Sequence, residues 1–258
     1  MTEAEFLAAL PDLAFQSVLI LARIGACAML LPGVGETDTP VPVRLGFALA
    51  LVVLMLPVLS PSLPGAPDAP AEVLRLLGTE IVIGLWLGWL ARLVMLATNI
   101  AGQTIGYLVG LSTVLAPDPA LGAQNTGMAR LIGFGAVVVV LGSGLYALPL
   151  RAMVESYALL PAGGSLQAGM AADAVAAAAA GSVELALRLV APLLVLSVLL
   201  QVVTGLLARA APQAQVFILS GPAQTMAGLA LLALLLPAML GHWVEAARHA
   251  WSLLPGLG

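Results

Sequence analysis

The sequence predicts an all-α, membrane-associated fold of broken hydrophobic helices and helical hairpins. Three observations predict it. Hydrophobic residues fill 61% of the 258 positions and charged residues only 9%, against roughly 25% charged in an ordinary soluble domain; mean hydropathy is +1.09. Apolar runs recur near 14–31, 43–60, 73–97, 131–150, 185–207 and 225–240, several of them close to the ~20 residues that cross a bilayer core. Prolines interrupt this pattern, most of all between Gly205 and Leu231, where Pro212 and Pro222 bracket the short run Val216 to Leu219. Lipid cannot satisfy the backbone groups that such an interruption frees. The segment is therefore expected to lie under protein or along a cavity.

Charge and cysteine usage narrow the class. The net charge of −4 and the lack of any basic run argue against nucleic acid, which needs clustered cations against phosphate. All nine basic residues are Arg. Cys27 is the lone cysteine and sits in an apolar run, where it reads as a small buried hydrophobe. The N-terminus carries Glu3, Glu5 and Asp12 without a basic region, so the first apolar segment is expected to stay in the mature protein. The length fits one domain over residues 1–258.

Along the chain, Pro32 and Pro149 stand at or near run ends, where proline commonly stops a helix, and Pro57 closes the second run early. Pro192 and Pro237 lie inside runs and predict kinks or breaks. Residues 60–70, SPSLPGAPDAP, read as an exposed connector, and 161–169 as a Gly-rich one. Ala171 to Ala180 has high helix propensity and little to bury. Arg residues spread almost evenly over the segment boundaries, so the usual orientation bias of a multi-span protein is missing.

Charges inside apolar runs are the sharper signal. Arg23 lies mid-run, at a cost of about 2.5–3.5 kcal/mol if it met the bilayer centre alone. Glu80 and Arg92 also sit in or beside a run, too far apart along one helix to meet. Arg23 and Glu80 need either a buried partner on another helix or subunit, or a watery position; neither faces lipid. Glu72–Arg75, Arg151–Glu155, Glu184–Arg188 and Glu245–Arg248 have the spacing of helical neighbours that neutralise each other.

Gly102, Gly106 and Gly110 recur every fourth residue, as do Gly84 and Gly88, and small residues at that spacing let helices approach closely. Asn99, Gln103 and Tyr107 share the period, which places a polar stripe beside the bare one. It serves either as glue between helices or as the wall of a wet passage. A helix from Val73 to about Leu115 would be some 60 Å long, so it is expected to bend or break near Thr98–Asn99 or to project beyond a bilayer. It runs into Leu115-Ala116-Pro117-Asp118-Pro119, where Pro119 biases Asp118 towards extended backbone. On these residues alone the loop is a turn or a moving part.

Enzyme chemistry finds little footing. His242 and His249 join no cluster with metal-ligand spacing. Ser112 or Ser220 with His242 lacks the orienting group and oxyanion hole a serine hydrolase needs, and no Gly-rich phosphate loop is present. No cofactor is expected. Trp86, Trp89, Trp243 and Trp251 read as interfacial anchors.

Ordered motifs then carry a resemblance. They are Arg23-Ile24-Gly25, Leu31-Pro32-Gly33-Val34-Gly35 and Pro42-Val43-Arg44-Leu45-Gly46-Phe47; Ala101-Gly102-Gln103-Thr104-Ile105-Gly106, Gly110-Leu111-Ser112 and Asp118-Pro119; Glu155-Ser156-Tyr157 and Leu160-Pro161-Ala162-Gly163; and Arg209-Ala210-Ala211-Pro212-Gln213 with Val216-Phe217. Over nearly its whole length the chain resembles the FliR family of flagellar biosynthesis proteins, whose injectisome relatives are the T subunits of type III secretion export gates. It departs from the family pattern at Gly142-Ser143-Gly144 and at Ala214-Gln215. The resemblance implies a non-enzymatic gate subunit in the bacterial inner membrane at the flagellar basal body. Its implied partners are P- and Q-type subunits, B- and A-type export components and exported unfolded proteins. It also implies a plug over residues 111–125, including Leu111, Ser112, Leu115, Pro117, Asp118 and Pro119, and a family turn at Arg209, Pro212, Gln213 and Phe217. An injectisome T subunit is the alternative within the family, and a small multi-span transporter the alternative outside it.

Overall fold

The computed structural model describes residues 3–36, 38–110, 127–210 and 216–256. Every long element among them is a helix: α1 (Glu3–Ala28), α2 (Val41–Leu59), α3 (Pro70–Leu108), α4 (Gly127–Gly142), α5 (Ala147–Leu159), α6 (Ala168–Ala210) and α7 (Val216–Ser252). Five are long and apolar enough to cross a membrane, and α4 with α5 would make a sixth span bent by 69°.

Local chemistry sets the boundaries. Pro40 precedes α2 and Pro42 occupies its first turn, where a missing N–H costs nothing. Pro57 stands inside α2, which passes it by two residues before a single 3-10 turn, Ser60–Ser62. The connector that follows is mostly exposed, yet it is tied down. Gln16 of α1 donates from Nε2 to the carbonyls of Ser60, Leu63 and Pro64 and accepts from Ser60 Oγ at 2.6 Å. The Ala66 N–H donates to Asp12 Oδ1 at 2.8 Å.

The helices continue through four sites of expected interruption, and one unexpected break is present. Helix α3 runs without a break through Thr98–Asn99 for 39 residues, about 58 Å at 1.5 Å per residue. Pro192 lies inside α6, and Pro222 and Pro237 lie inside α7. Val216 to Leu219 is the first turn of α7, which continues past Pro222 instead of forming a separate run. A proline removes one hydrogen bond and crowds one carbonyl, whereas a full break in apolar surroundings strips several backbone groups of partners. The break instead divides the apolar run 131–150 at Ser143–Tyr146, where Gly144 takes a φ of +73°, a conformation open to glycine. Pro149 falls in the first turn of α5 and is buried, so it opens a helix and does not stop one.

The chain forms two compact units. Unit 1 comprises Met1–Leu93, Val140–Ala178 and Arg248–Gly258. Its core joins Leu19, Ile20 and Ile24 of α1 with Ile83 and Leu87 of α3 and Met153 of α5. Trp251, fully buried, donates its indole N–H to the Ala91 carbonyl at 3.0 Å. Unit 2 comprises Val94–Val139 and Ala179–Ala247. There Ala97, Ala101 and Ile105 of α3 are buried, as are Ala129 and Ala136 of α4. Trp243, also buried, donates to the Val94 carbonyl at 3.3 Å. These two indoles are core residues and not the interfacial anchors their composition suggests. Trp89 remains about half exposed, and Trp86 bonds the Ala171 carbonyl at 3.1 Å.

Candidate functional site

The densest chemistry lies in unit 1, around Arg23. Its guanidinium meets Glu80 through two parallel bonds, Nε to Oε2 at 2.7 Å and Nη2 to Oε1 at 3.0 Å. Both side chains are 0% exposed. Two further donors are used: Nη1 points to Ser156 Oγ at 3.3 Å and Nη2 to the Leu160 carbonyl at 2.9 Å. The Gly163 N–H donates to Glu80 Oε1 at 3.1 Å. Tyr157 stacks on the guanidinium, 3.9 Å from ring centroid to Cζ. A charge pair this deep needs hydrogen-bond partners beyond the pair itself, and here α5 and the turn after it supply three of them; the buried Tyr157 hydroxyl beside them makes no hydrogen bond. Of the alternatives for Arg23 and Glu80, the fold gives a partner on another helix of the same chain.

A second arginine pair clasps the loop after α1. Arg92 of α3 donates to the Gly35 carbonyl at 3.1 Å and lies 3.7 Å from the Glu36 carboxylate. Arg44 of α2 donates to the carbonyls of Thr39 and Glu36. The loop needs its glycines: Gly33 has a φ of +88°, and a Cβ on Gly35 would sit 2.5 Å from the Met29 carbonyl oxygen. Of the four predicted surface pairs, Glu72–Arg75, Arg151–Glu155 and Glu184–Arg188 form; Glu245–Arg248 makes no ion pair among the described residues.

Three glycines of the small-residue stripe, Gly84, Gly88 and Gly102, pack against helices of the same chain. A Cβ on Gly84 would run into the Arg23 carbonyl oxygen, and one on Gly88 would sit 2.8 Å from the Cys27 carbonyl oxygen, both on α1. On Gly102 it would lie 2.5 Å from the Ala129 Cα of α4. Gly106 is buried. Gly110, in the turn just past α3, has a φ of +80°. The polar stripe divides: Asn99 is half-buried and donates to the Met95 carbonyl of its own helix, while Gln103 and Tyr107 are exposed.

Residues 111–126 lie outside the described residues, and with them Leu111, Ser112, Leu115, Pro117, Asp118 and Pro119; so do Pro212 and Gln213. Arg209 is exposed in the last turn of α6, and Phe217 belongs to the first turn of α7. The approach to 111 is built by α7. Gln224 donates from Nε2 to the Leu108 carbonyl at 2.8 Å, and Gly228 lies against Val109. Sequence reasoning missed Gln224, although a lone amide two residues after Pro222 in an apolar helix is a usable signal. It also missed Gln16, Glu36 and Ser156. Ser220 and His242 occupy one helix 22 residues apart, about 33 Å along its axis, which excludes them as a catalytic pair.

The motifs around Arg23, Gly35, Arg44, Gly102, Ser156 and Gly163 thus fall on these packing points, and the family model for "Bacterial export proteins, family 1" matches residues 14–250. The chain belongs to this family. Relatives of the bacterial export family 1 protein include the flagellar biosynthetic protein FliR of Caulobacter vibrioides, 30% identical over 91% of this chain and 94% of the relative. FliR of Escherichia coli is 30% identical over 84% and 82%. The Yop proteins translocation protein T of Yersinia pestis is 26% identical over 88% of each.

Proposed function

We propose that this chain is a non-enzymatic core subunit of the flagellar type III protein export gate, seated in the bacterial inner membrane at the flagellar basal body. Residues 1–258 act there as one functional domain. It assembles with P- and Q-type subunits beside B- and A-type export components, and together they enclose a closed path for unfolded proteins. The observation that carries this reading is family membership over residues 14–250, with 30% identity to a flagellar relative along 91% of the chain. Two flagellar relatives at 30% identity, against 26% for the injectisome relative, support the flagellar system, and a third flagellar relative, from Bacillus subtilis, stands level with the injectisome one at 26%.

The loop over 111–125 serves as the plug. Its support is the way the chain enters it: α3 stops just before a glycine with positive φ and is held there by Gln224. A rigid post before a gating loop lets the loop move without the helix unwinding. Gln103 and Tyr107 stand exposed on the same stretch of α3 and are offered to the path or to a neighbouring subunit.

Two measurements test this. Co-expression with the P- and Q-type subunits, then affinity capture and sizing, should yield one stable complex; a chain that stays alone and moves a solute in liposomes would be a transporter. Deletion of 114–122 in the assembled gate should raise ion leak across the membrane, and an unchanged leak removes the plug assignment.

A further inference from the structure

The buried Arg23–Glu80 pair is completed by groups that arrive late in the chain. The two charged residues are 57 positions apart, whereas Leu160 lies 137 positions after Arg23 and Gly163 lies 83 after Glu80. The turn Leu160–Gly163 offers one carbonyl and one N–H, and each meets the matching charge: the carbonyl accepts from Arg23, the N–H donates to Glu80. Its shape is fixed by Gly163, whose φ is +77° and on which a Cβ would collide with Leu76 Cδ2. Arg75 donates to the Gly163 carbonyl from the outside at 3.3 Å.

We propose that this turn is a latch that reads the polarity of the buried pair and locks α1 onto α3 only once α5 has been placed. An ion pair alone would hold either way round. A latch with a carbonyl over position 23 and an N–H over position 80 holds only when the cation is at 23. Reversal would set a carboxylate against a carbonyl and a guanidinium against an N–H, leaving buried groups unpaired. Until the turn closes, Arg23 lacks its Leu160 partner and Glu80 its backbone donor, so the α1–α3 contact stays open to exchange.

Cys27 is a built-in reporter, because it is the only cysteine, is 2% exposed, and has its backbone carbonyl against Gly88 across the α1–α3 contact. The full-length chain in mild detergent is treated with N-ethylmaleimide. Arg23→Gln, Glu80→Gln and the reversal Arg23→Glu with Glu80→Arg should each alkylate at least about tenfold faster than the unmodified protein, since a lone or misfaced buried charge drives local opening. Gly163→Ala, which does not touch Cys27, should do the same. Protection of Cys27 at the original level in the reversed double variant or in Gly163→Ala overturns the latch. Because those variants could simply misfold, a fifth keeps the question open to refutation. Arg23→Met with Glu80→Met removes both charges, should keep Cys27 protected by apolar packing, and should free the turn, with chymotrypsin cutting after Leu159, at the start of the turn, about tenfold faster. A turn that stays uncut in that variant also overturns the proposal.

Discussion

At the scale of single residues, glycine in this chain has opposite meanings on one helix. Gly84 faces the Arg23 carbonyl across the α1–α3 contact, while Gly78, six residues earlier and exposed, has nothing within 4 Å of a built Cβ. Gly84→Ala should therefore push the helices apart and lower stability by about 1–3 kcal/mol. Gly78→Ala should raise it by roughly 0.5–1 kcal/mol through helix propensity. Denaturant titration of the solubilised chain checks both signs, and equal effects would remove the packing argument. The surface pairs belong to a different class. Arg188→Gln breaks an exposed pair with Glu184 and should change the same midpoint by less than about 1 kcal/mol. Arg23 and Glu80 were readable as charges needing a partner, since hydropathy alone marks them as costly. Their joining was not, because it depends on which faces of α1 and α3 meet, and because Ser156, Leu160 and Gly163 contribute a hydroxyl, a carbonyl and an N–H, groups that carry no charge to signal them.

At the scale of elements, apolar runs located every long helix but understated most of them. Helix α6 begins at Ala168 and α7 extends to Ser252, well outside the runs 185–207 and 225–240. Hydropathy marks what a helix buries, whereas its length follows from backbone hydrogen bonding, which continues through the alanines of 171–180 and past His242. Pro192, Pro222 and Pro237 do not end their helices, whereas the chain does break at Gly144, where the backbone needs a glycine. The end of α3 shows how one element fixes another. Gln224 of α7 caps the Leu108 carbonyl, one of the orphan acceptors of a helix terminus. Gln224→Leu should cost about 1 kcal/mol and speed amide exchange at the end of α3 and in the turn after it, Leu108 to Gly110, while leaving the α1–α3 contact at its original rate. Unchanged exchange there would show that α3 ends without help from α7.

At the scale of the whole molecule, the chain leaves more apolar surface open than it can afford in water. Val53 is 74% exposed, Leu187 62%, Leu206 63% and Leu234 75%. Only 17% of the apolar window of α2 and 22% of those of α6 and α7 are buried within the chain. Contiguous apolar surface on this scale marks a face that meets lipid or another polypeptide. Helix α2 and the second half of α6 are the places to separate the two. Lipid would suffice for a free-standing multi-span protein, but a gate subunit in the proposed assembly needs P- and Q-type helices against these faces. A photo-reactive phenylalanine analogue at Val53, Leu199 or Leu206, irradiated in membranes that carry the complete export apparatus, should give adducts with partner polypeptides at two or more of the three positions. The same positions in cells lacking the P-type subunit should lose those adducts and gain lipid ones. If all three mark lipid alone in the complete apparatus, these faces are membrane surface and the subunit meets its partners elsewhere.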